Sequence, residues 1–176
     1  MKKGIFFMIF SMVWNMRNIM FVFGIILFLA GCSNVRYEDS ININAPKDLV
    51  FGILEDYENY PNIIPDFHDS VEIITENRTG FGVQFRNNST FGGWKMESIF
   101  EVTEYRINEY IKLENKTHYG FTELIVEDIG NNVTRYTLIN YTRIPNSMKN
   151  KLFEAFDNEL EIIKRISEYN YNRIKR

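Results

Sequence analysis

Apolar residues recur every three or four positions over Asn146–Tyr171, at Leu152, Phe153, Phe156, Leu160, Ile163 and Ile166. That spacing predicts one stripe of an amphipathic helix. Lys149, Glu154, Asp157, Glu161, Lys164, Arg165 and Glu168 fall between them and mark the solvated face. Pro145 ends the preceding extended segment, and Asn146 or Ser147 is suited to cap the first free amides. At about 1.5 Å of rise per residue the helix is as long as a small domain is wide. Its stripe needs a broad apolar surface, which the preceding segments must supply.

Those segments follow a different period. Val35, Tyr37, Ile41 and Ile43 alternate weakly through a first strand over Arg36–Asn44, which Ala45-Pro46 stops. Leu49, Val50, Ile53 and Leu54 return to helical spacing, and Pro61 and Pro65 keep a second helix or turn over Tyr57–Pro65 short. Beyond it, extended runs alternate with turn residues every eight to twelve positions, the pattern of an antiparallel meander. The strands expected are Val71–Thr75, Phe81–Asn87, one starting at Trp94, then Tyr110–Thr117, Tyr119–Glu127 and Val133–Tyr141. Phe91-Gly92-Gly93 and Gly130-Asn131-Asn132 are expected as hairpin turns. Trp94, Met96, Ser98, Phe100 and Val102 share a face opposite Lys95, Glu97 and Glu101 and are expected to point inward. The fold class is α+β, with six to seven antiparallel strands, two short helices after the first strand and a long C-terminal helix. No Pro- or Gly-rich linker or internal repeat divides it.

The front of the chain is different. Ile5–Val13 and Ile19–Ala30 are apolar runs separated by Asn15, Arg17 and Asn18, and neither reaches the roughly 20 residues of a spanning helix. The second ends in Leu29-Ala30-Gly31-Cys32, which resembles the lipobox of bacterial lipoprotein signal peptides, where small residues precede a cysteine that is cut and acylated. This resemblance implies a signal peptide over 1–31, a lipidated linker over 32–35, a domain over 36–171 and a tail over 172–176. It also implies a place in the cell envelope, lipid-anchored on the extracytoplasmic side. Met16-Arg17-Asn18 makes a compact signal start by itself, so Met1–Asn15 reads as an upstream extension or a misassigned start.

The 176 residues, 45% hydrophobic and 15% aromatic, suffice for one domain. Cys32 is the only cysteine, so no intramolecular disulfide forms. Every acidic residue lies beyond it, and losing Lys2, Lys3 and Arg17 leaves 17 basic against 23 acidic side chains, a charge of −6. That balance argues against nucleic acid as a partner. His68 and His118 lie far apart, without metal-ligand spacing, and no nucleophile elbow or phosphate loop is present. No metal or cofactor is expected, and the domain is expected as a monomer.

Ile43-x-Ala45-Pro46 leading to Val50, Leu54-x-Asp56, Tyr60-Pro61, Pro65, Gly80-x-Gly82, Gly130 with Thr134, and the closing helix occur in the order found in the helix-grip superfamily. That group holds START lipid-transfer domains, polyketide cyclases and coenzyme Q-binding proteins (SRPBCC), and the chain resembles it over roughly Tyr37–Tyr169. Where many members carry Trp or Phe after the Tyr-Pro pair, this chain has Ile63, which leaves the subfamily open. The resemblance implies a curved sheet wrapped around the long helix with an apolar cavity between them, suited to a small hydrophobic ligand such as a lipid, quinone or polyketide. By strand parity and helix stripe, the candidate cavity residues are Phe85, Trp94, Met96, Phe100, Tyr119, Tyr136, Leu138, Phe153, Phe156 and Leu160. Three functions remain open: a membrane-tethered carrier, a cyclase or dehydratase, and an interaction module with a filled core. Catalysis would require an ionisable group inside the cavity, with Arg86, Glu123 and His118 as candidates; an interaction module would show no cavity and an exposed apolar patch instead.

Overall fold

The computed structural model describes residues 31–176. The signal-peptide reading of the apolar runs, with Leu29 and Ala30 of the box, lies outside them. Seven strands form one antiparallel curved sheet: β1 (Cys32–Ile43), β2 (Ser70–Ile73), β3 (Gln84–Phe91), β4 (Trp94–Arg106), β5 (Tyr110–Asn115), β6 (Gly120–Asp128) and β7 (Thr134–Pro145). Their spatial order is β1-β7-β6-β5-β4-β3-β2. Consecutive strands pair as hairpins except at β1, whose only partner is β7, in register from Cys32 opposite Pro145 to Ile43 opposite Thr134. Helices α1 (Lys47–Leu54) and α2 (Tyr60–Ile63) fill the crossover from β1 to β2, and α3 (Lys149–Ile174) closes the chain.

The stripe expected from sequence is the buried side of α3, with Leu152, Phe156, Leu160 and Ile163 in the core. They meet Tyr37 and Ile43 of β1, Val50, Phe51 and Leu54 of α1, and Tyr136 and Leu138 of β7 in one apolar cluster. Burying such side chains contributes about 1.5–3 kcal/mol each. No side chain caps α3. A 3₁₀ turn over Asn146–Met148 precedes it, and the Asn146 carboxamide oxygen, expected as a cap, instead accepts the Ser33 hydroxyl of β1.

Several strand limits differ from expectation; at their C-terminal ends β3 runs to Phe91 rather than Asn87 and β7 to Pro145 rather than Tyr141. β1 starts four residues early, because Cys32–Val35 complete the ladder with Thr142–Pro145. β3 starts late: Gly80 and Gly82 adopt φ of +87° and +80°, turning the chain and leaving Phe81 exposed. Both hairpin turns form where expected, with positive φ at Gly92, Gly93, Gly130, Asn131 and Asn132. Among the described residues no helix is long and apolar enough to cross a membrane.

Candidate functional site

Alternation along the strands sends Phe85, Asn87 and Ser89 of β3, Ser98 and Val102 of β4, and Thr134, Tyr136 and Leu138 of β7 to the buried side of the sheet. Two aromatic runs tie that surface to the helices. In one, Tyr57 stacks on Phe85 at 4.9 Å and Phe85 on Phe100 at 5.5 Å. In the other, Phe67 stacks on Phe156 at 4.7 Å and on Phe91 at 5.9 Å, while Tyr37 meets Phe153 at 5.3 Å and Phe156 at 4.9 Å. Offset and edge contacts of this kind hold rings in fixed geometry beyond their area burial.

Of the ten residues selected from sequence, the structure buries Phe85, Tyr136, Leu138, Phe156 and Leu160 between sheet and helices, with Phe100 and Phe153 half-buried beside them. Trp94, Met96 and Tyr119 are not in that interior; they are 67%, 41% and 63% exposed. Parity is right for Trp94 and Met96, which alternate in phase with buried Ser98 and Val102. Alternation fixes a face but not how far along it the covering elements reach, and β4 runs past them. Tyr119 stands in the β5–β6 turn rather than in a strand.

The interior also holds polar groups. Glu159 on α3 is 7% exposed, and the Tyr136 hydroxyl donates to its Oε1 at 3.3 Å. Burial pushes the Glu159 carboxyl up to about 8, so it is largely protonated at neutral pH. Burial likewise holds the Tyr136 and Tyr60 phenols above their ordinary value, and the Tyr60 hydroxyl donates to the Leu54 carbonyl. His68 Nδ1 lies 2.9 Å from Asn87 Oδ1, which can only accept, so Nδ1 carries the hydrogen. Burial lowers the His68 pKa to about 4, leaving the ring neutral against Tyr60 at 5.0 Å. Asn87 Nδ2 donates in turn to the Phe67 carbonyl at 3.1 Å. Glu159 is the one buried carboxylate among the described residues, and no Lys or Arg is buried with it.

The ionisable groups named from sequence lie elsewhere. Arg86 points away from Phe85 and pairs with Glu72 at 2.7 Å and Glu97 at 3.8 Å; Glu123 accepts the Tyr110 hydroxyl at 2.8 Å; exposed His118 reaches the Glu97 carbonyl at 3.2 Å. Glu159 was missed because its charge suggested solvent. Its spacing, three after Phe156 and four before Ile163, puts it on the apolar stripe. Among the described residues no group of three His, Cys, Asp or Glu side chains is placed to hold a metal ion. The depressions lined by Arg36, Asp39 and Arg135 and by Lys47, Asp48 and Asp128 are open and lie on the surface, so neither is the apolar cavity between sheet and helix that the resemblance implies.

Solved structures share this architecture. A START superfamily protein from Mycobacterium smegmatis superposes with a TM-score of 0.60 at 15% identity, covering 79% of this chain and 98% of that one. The Zhui aromatase/cyclase from Streptomyces sp. R1128 gives 0.61 at 17% identity, covering 77% and 94%. A Staphylococcus aureus protein of unknown function gives 0.63 at 9% identity, covering 80% and 98%. At these identities the likeness establishes the fold. No curated protein matches the sequence. Residues 43–163, more than half of the chain, match the family described as polyketide cyclase / dehydrase and lipid transport, and the chain belongs to that family, built on a hydrophobic ligand-binding fold.

Proposed function

We propose that this protein is an envelope lipoprotein, anchored through acylated Cys32, that binds or carries a small hydrophobic molecule between the curved sheet and α3. The observation that carries the reading is the aromatic lining of the sheet's inner face, which runs from buried Phe85 and half-buried Phe100 toward uncovered Met96 and Trp94. A molecule held along that path is desolvated by rings, while Ser98, Tyr136 and Glu159 offer hydrogen bonds for orientation. Family membership supports the same class of ligand. At roughly 25 cal/mol per Å² buried, a lipid-sized molecule stays bound through purification.

The test is native mass spectrometry of the purified domain, with organic extraction to identify what it carries. A one-to-one adduct is expected, and Ser98→Phe, which fills the inner face, should reduce its occupancy while the domain stays folded. A domain that carries no extractable ligand and binds no environment-sensitive apolar dye would defeat the reading.

One observation favours a second reading, an enzyme of the cyclase or dehydratase type. Glu159 is a neutral carboxyl at physiological pH inside an apolar interior, the state required of a general acid. Turnover of a bound polyketide-like molecule that disappears in Glu159→Gln, with binding retained, would establish it.

A further inference from the structure

The hairpin register gathers one set of residues at a single end of the sheet. Cys32 begins β1 opposite Pro145, and the Asn146 amide donates to the Gly31 carbonyl at 2.9 Å. Beside it Gly120 of β6 pairs with Thr142, and the Tyr119 ring meets Tyr141 at 5.7 Å. The same turn reaches β4, where His118 approaches the Glu97 carbonyl and the Lys116 amide donates to the Ile99 carbonyl at 2.7 Å. The β3–β4 turn arrives there too, since a Cβ at Gly92 would lie 3.0 Å from Met148 Cε. Trp94, Met96, Tyr119 and Cys32 therefore share one rim, and its three large apolar side chains are exposed.

Resting on the reading of Cys32 as the acylated residue, we infer that this rim is a docking face for an anionic lipid bilayer, with Trp94 and Tyr119 seated in the interface and Lys95, Arg143, Lys149 and Lys151 drawn to its charge. Tryptophan and tyrosine suit that depth because each presents an apolar ring and a polar atom. The four basic side chains sit in the β3–β4 hairpin, at the end of β7 and in the first turn of α3, and among the described residues none pairs with a carboxylate. Nearby Glu97 and Glu114 are held by Arg86 and Lys116, while Asp69, which accepts the Thr90 hydroxyl, and Glu154 of α3 pair with no basic side chain among the described residues and offset part of this charge. Asp48, Glu109, Glu127 and Asp128 stand at the far end of the sheet, in α1, the β4–β5 turn and the end of β6, so the rim keeps a local cluster of cations in a chain of net charge −6, although other cations without a carboxylate partner lie at that far end and along α3.

An anchor at Cys32 keeps this end within reach of the surface, and the docking contacts fix its orientation. Uncovered Trp94 and Met96 then face lipid, and an apolar molecule reaches the inner face of the sheet without crossing water. A protein partner would be served as well by the aromatic side chains alone; the unpaired cations beside an acyl site favour the bilayer.

The experiment uses residues 31–176 with Cys32→Ser, which retain every strand, every helix and the whole core of the described fold and carry no acyl chain. Trp94 is the only tryptophan in that chain, so its emission reports the rim directly. Phosphatidylglycerol vesicles in low salt should shift the emission to the blue and co-sediment the protein, whereas phosphatidylcholine vesicles should do neither. Each of Lys95→Ala and Lys149→Ala should weaken binding about fivefold, Tyr119→Ala more than fivefold, and 0.5 M salt should abolish most of it. A folded protein whose emission and sedimentation ignore phosphatidylglycerol overturns the inference. Equal, salt-insensitive binding to both lipids also overturns it, as does a concentration-dependent emission shift with a dimer mass in the absence of vesicles, which would assign the rim to a second copy. Acylation is absent from the assay, so its failure leaves the anchor reading to be decided by palmitate labelling of Cys32.

Discussion

Glu159→Gln should make this protein more stable at neutral pH. In the unfolded chain a glutamate ionises near its ordinary value of 4.5, whereas burial against Tyr136 moves the folded value to about 8. Between these values the folded state holds a proton that the unfolded state has released. Stability is therefore full below pH 4.5 and falls as pH rises, by about 1.4 kcal/mol per unit, levelling off above about 8. At pH 7 the accumulated loss is about 3 kcal/mol, a large share of a typical domain's stability. Glutamine matches the protonated carboxyl in shape and cannot ionise, so the variant escapes that loss.

His68 acts with the opposite sign. Its folded value of about 4 lies below the ordinary 6.5, so its contribution is present above pH 6.5 and lost as pH falls through about 4. The two slopes oppose each other between about 4.5 and 6.5, which makes pH 6.5–8.5 the informative window. Tyr37, Tyr60 and Tyr136, the phenols nearest Glu159, stay protonated throughout it. Urea unfolding of both proteins at pH 5, 7 and 8.5 should show near-equal midpoints at pH 5 and a gap that widens with pH in favour of glutamine. A gap that is the same at all three values would show that Glu159 ionises freely, and the argument from burial would be wrong.

Cys32→Ser should leave an unprocessed precursor that takes up no labelled palmitate; labelling equal to wild type would remove the anchor. Phe156→Ala, which strips the ring from contacts with Tyr37 and Phe67, should cost about 2–5 kcal/mol in urea unfolding. An unchanged melting temperature in Phe156→Asp would contradict the packing of α3. Gly120→Ala should destabilise by more than about 1 kcal/mol, because its φ is +150° and a Cβ there would lie 2.5 Å from the Tyr141 carbonyl oxygen; thermal unfolding compared with Gly52→Ala, where a Cβ meets nothing within 4 Å, isolates the effect.

The period of a pattern was legible where an element buries one continuous face. Leu152, Phe156, Leu160 and Ile163 defined α3, and the glycines of both hairpins defined their turns, because each signal is local. Coverage is not local. Trp94 and Ser98 have the same parity, yet one is exposed and the other buried, and the difference depends on elements far away in sequence. Residue type misled at Glu159, whose spacing was that of the core, and at Phe81, whose apolar ring lies outside because flanking glycines turn the backbone. His68 acquires its perturbed state only from Tyr60 and Asn87, a meeting that no spacing in the sequence announces.

The pairing of β1 with β7 joins residues about a hundred positions apart along the chain. Closing a loop of that span costs entropy before any contact repays it, and topologies dominated by such contacts fold slowly. Until Thr134–Pro145 has emerged, β1 has no strand to pair with and the sheet cannot close around α3, which comes last of all. A chain built this way cannot complete its fold from its first strands alone, and its closing step waits on its final segment.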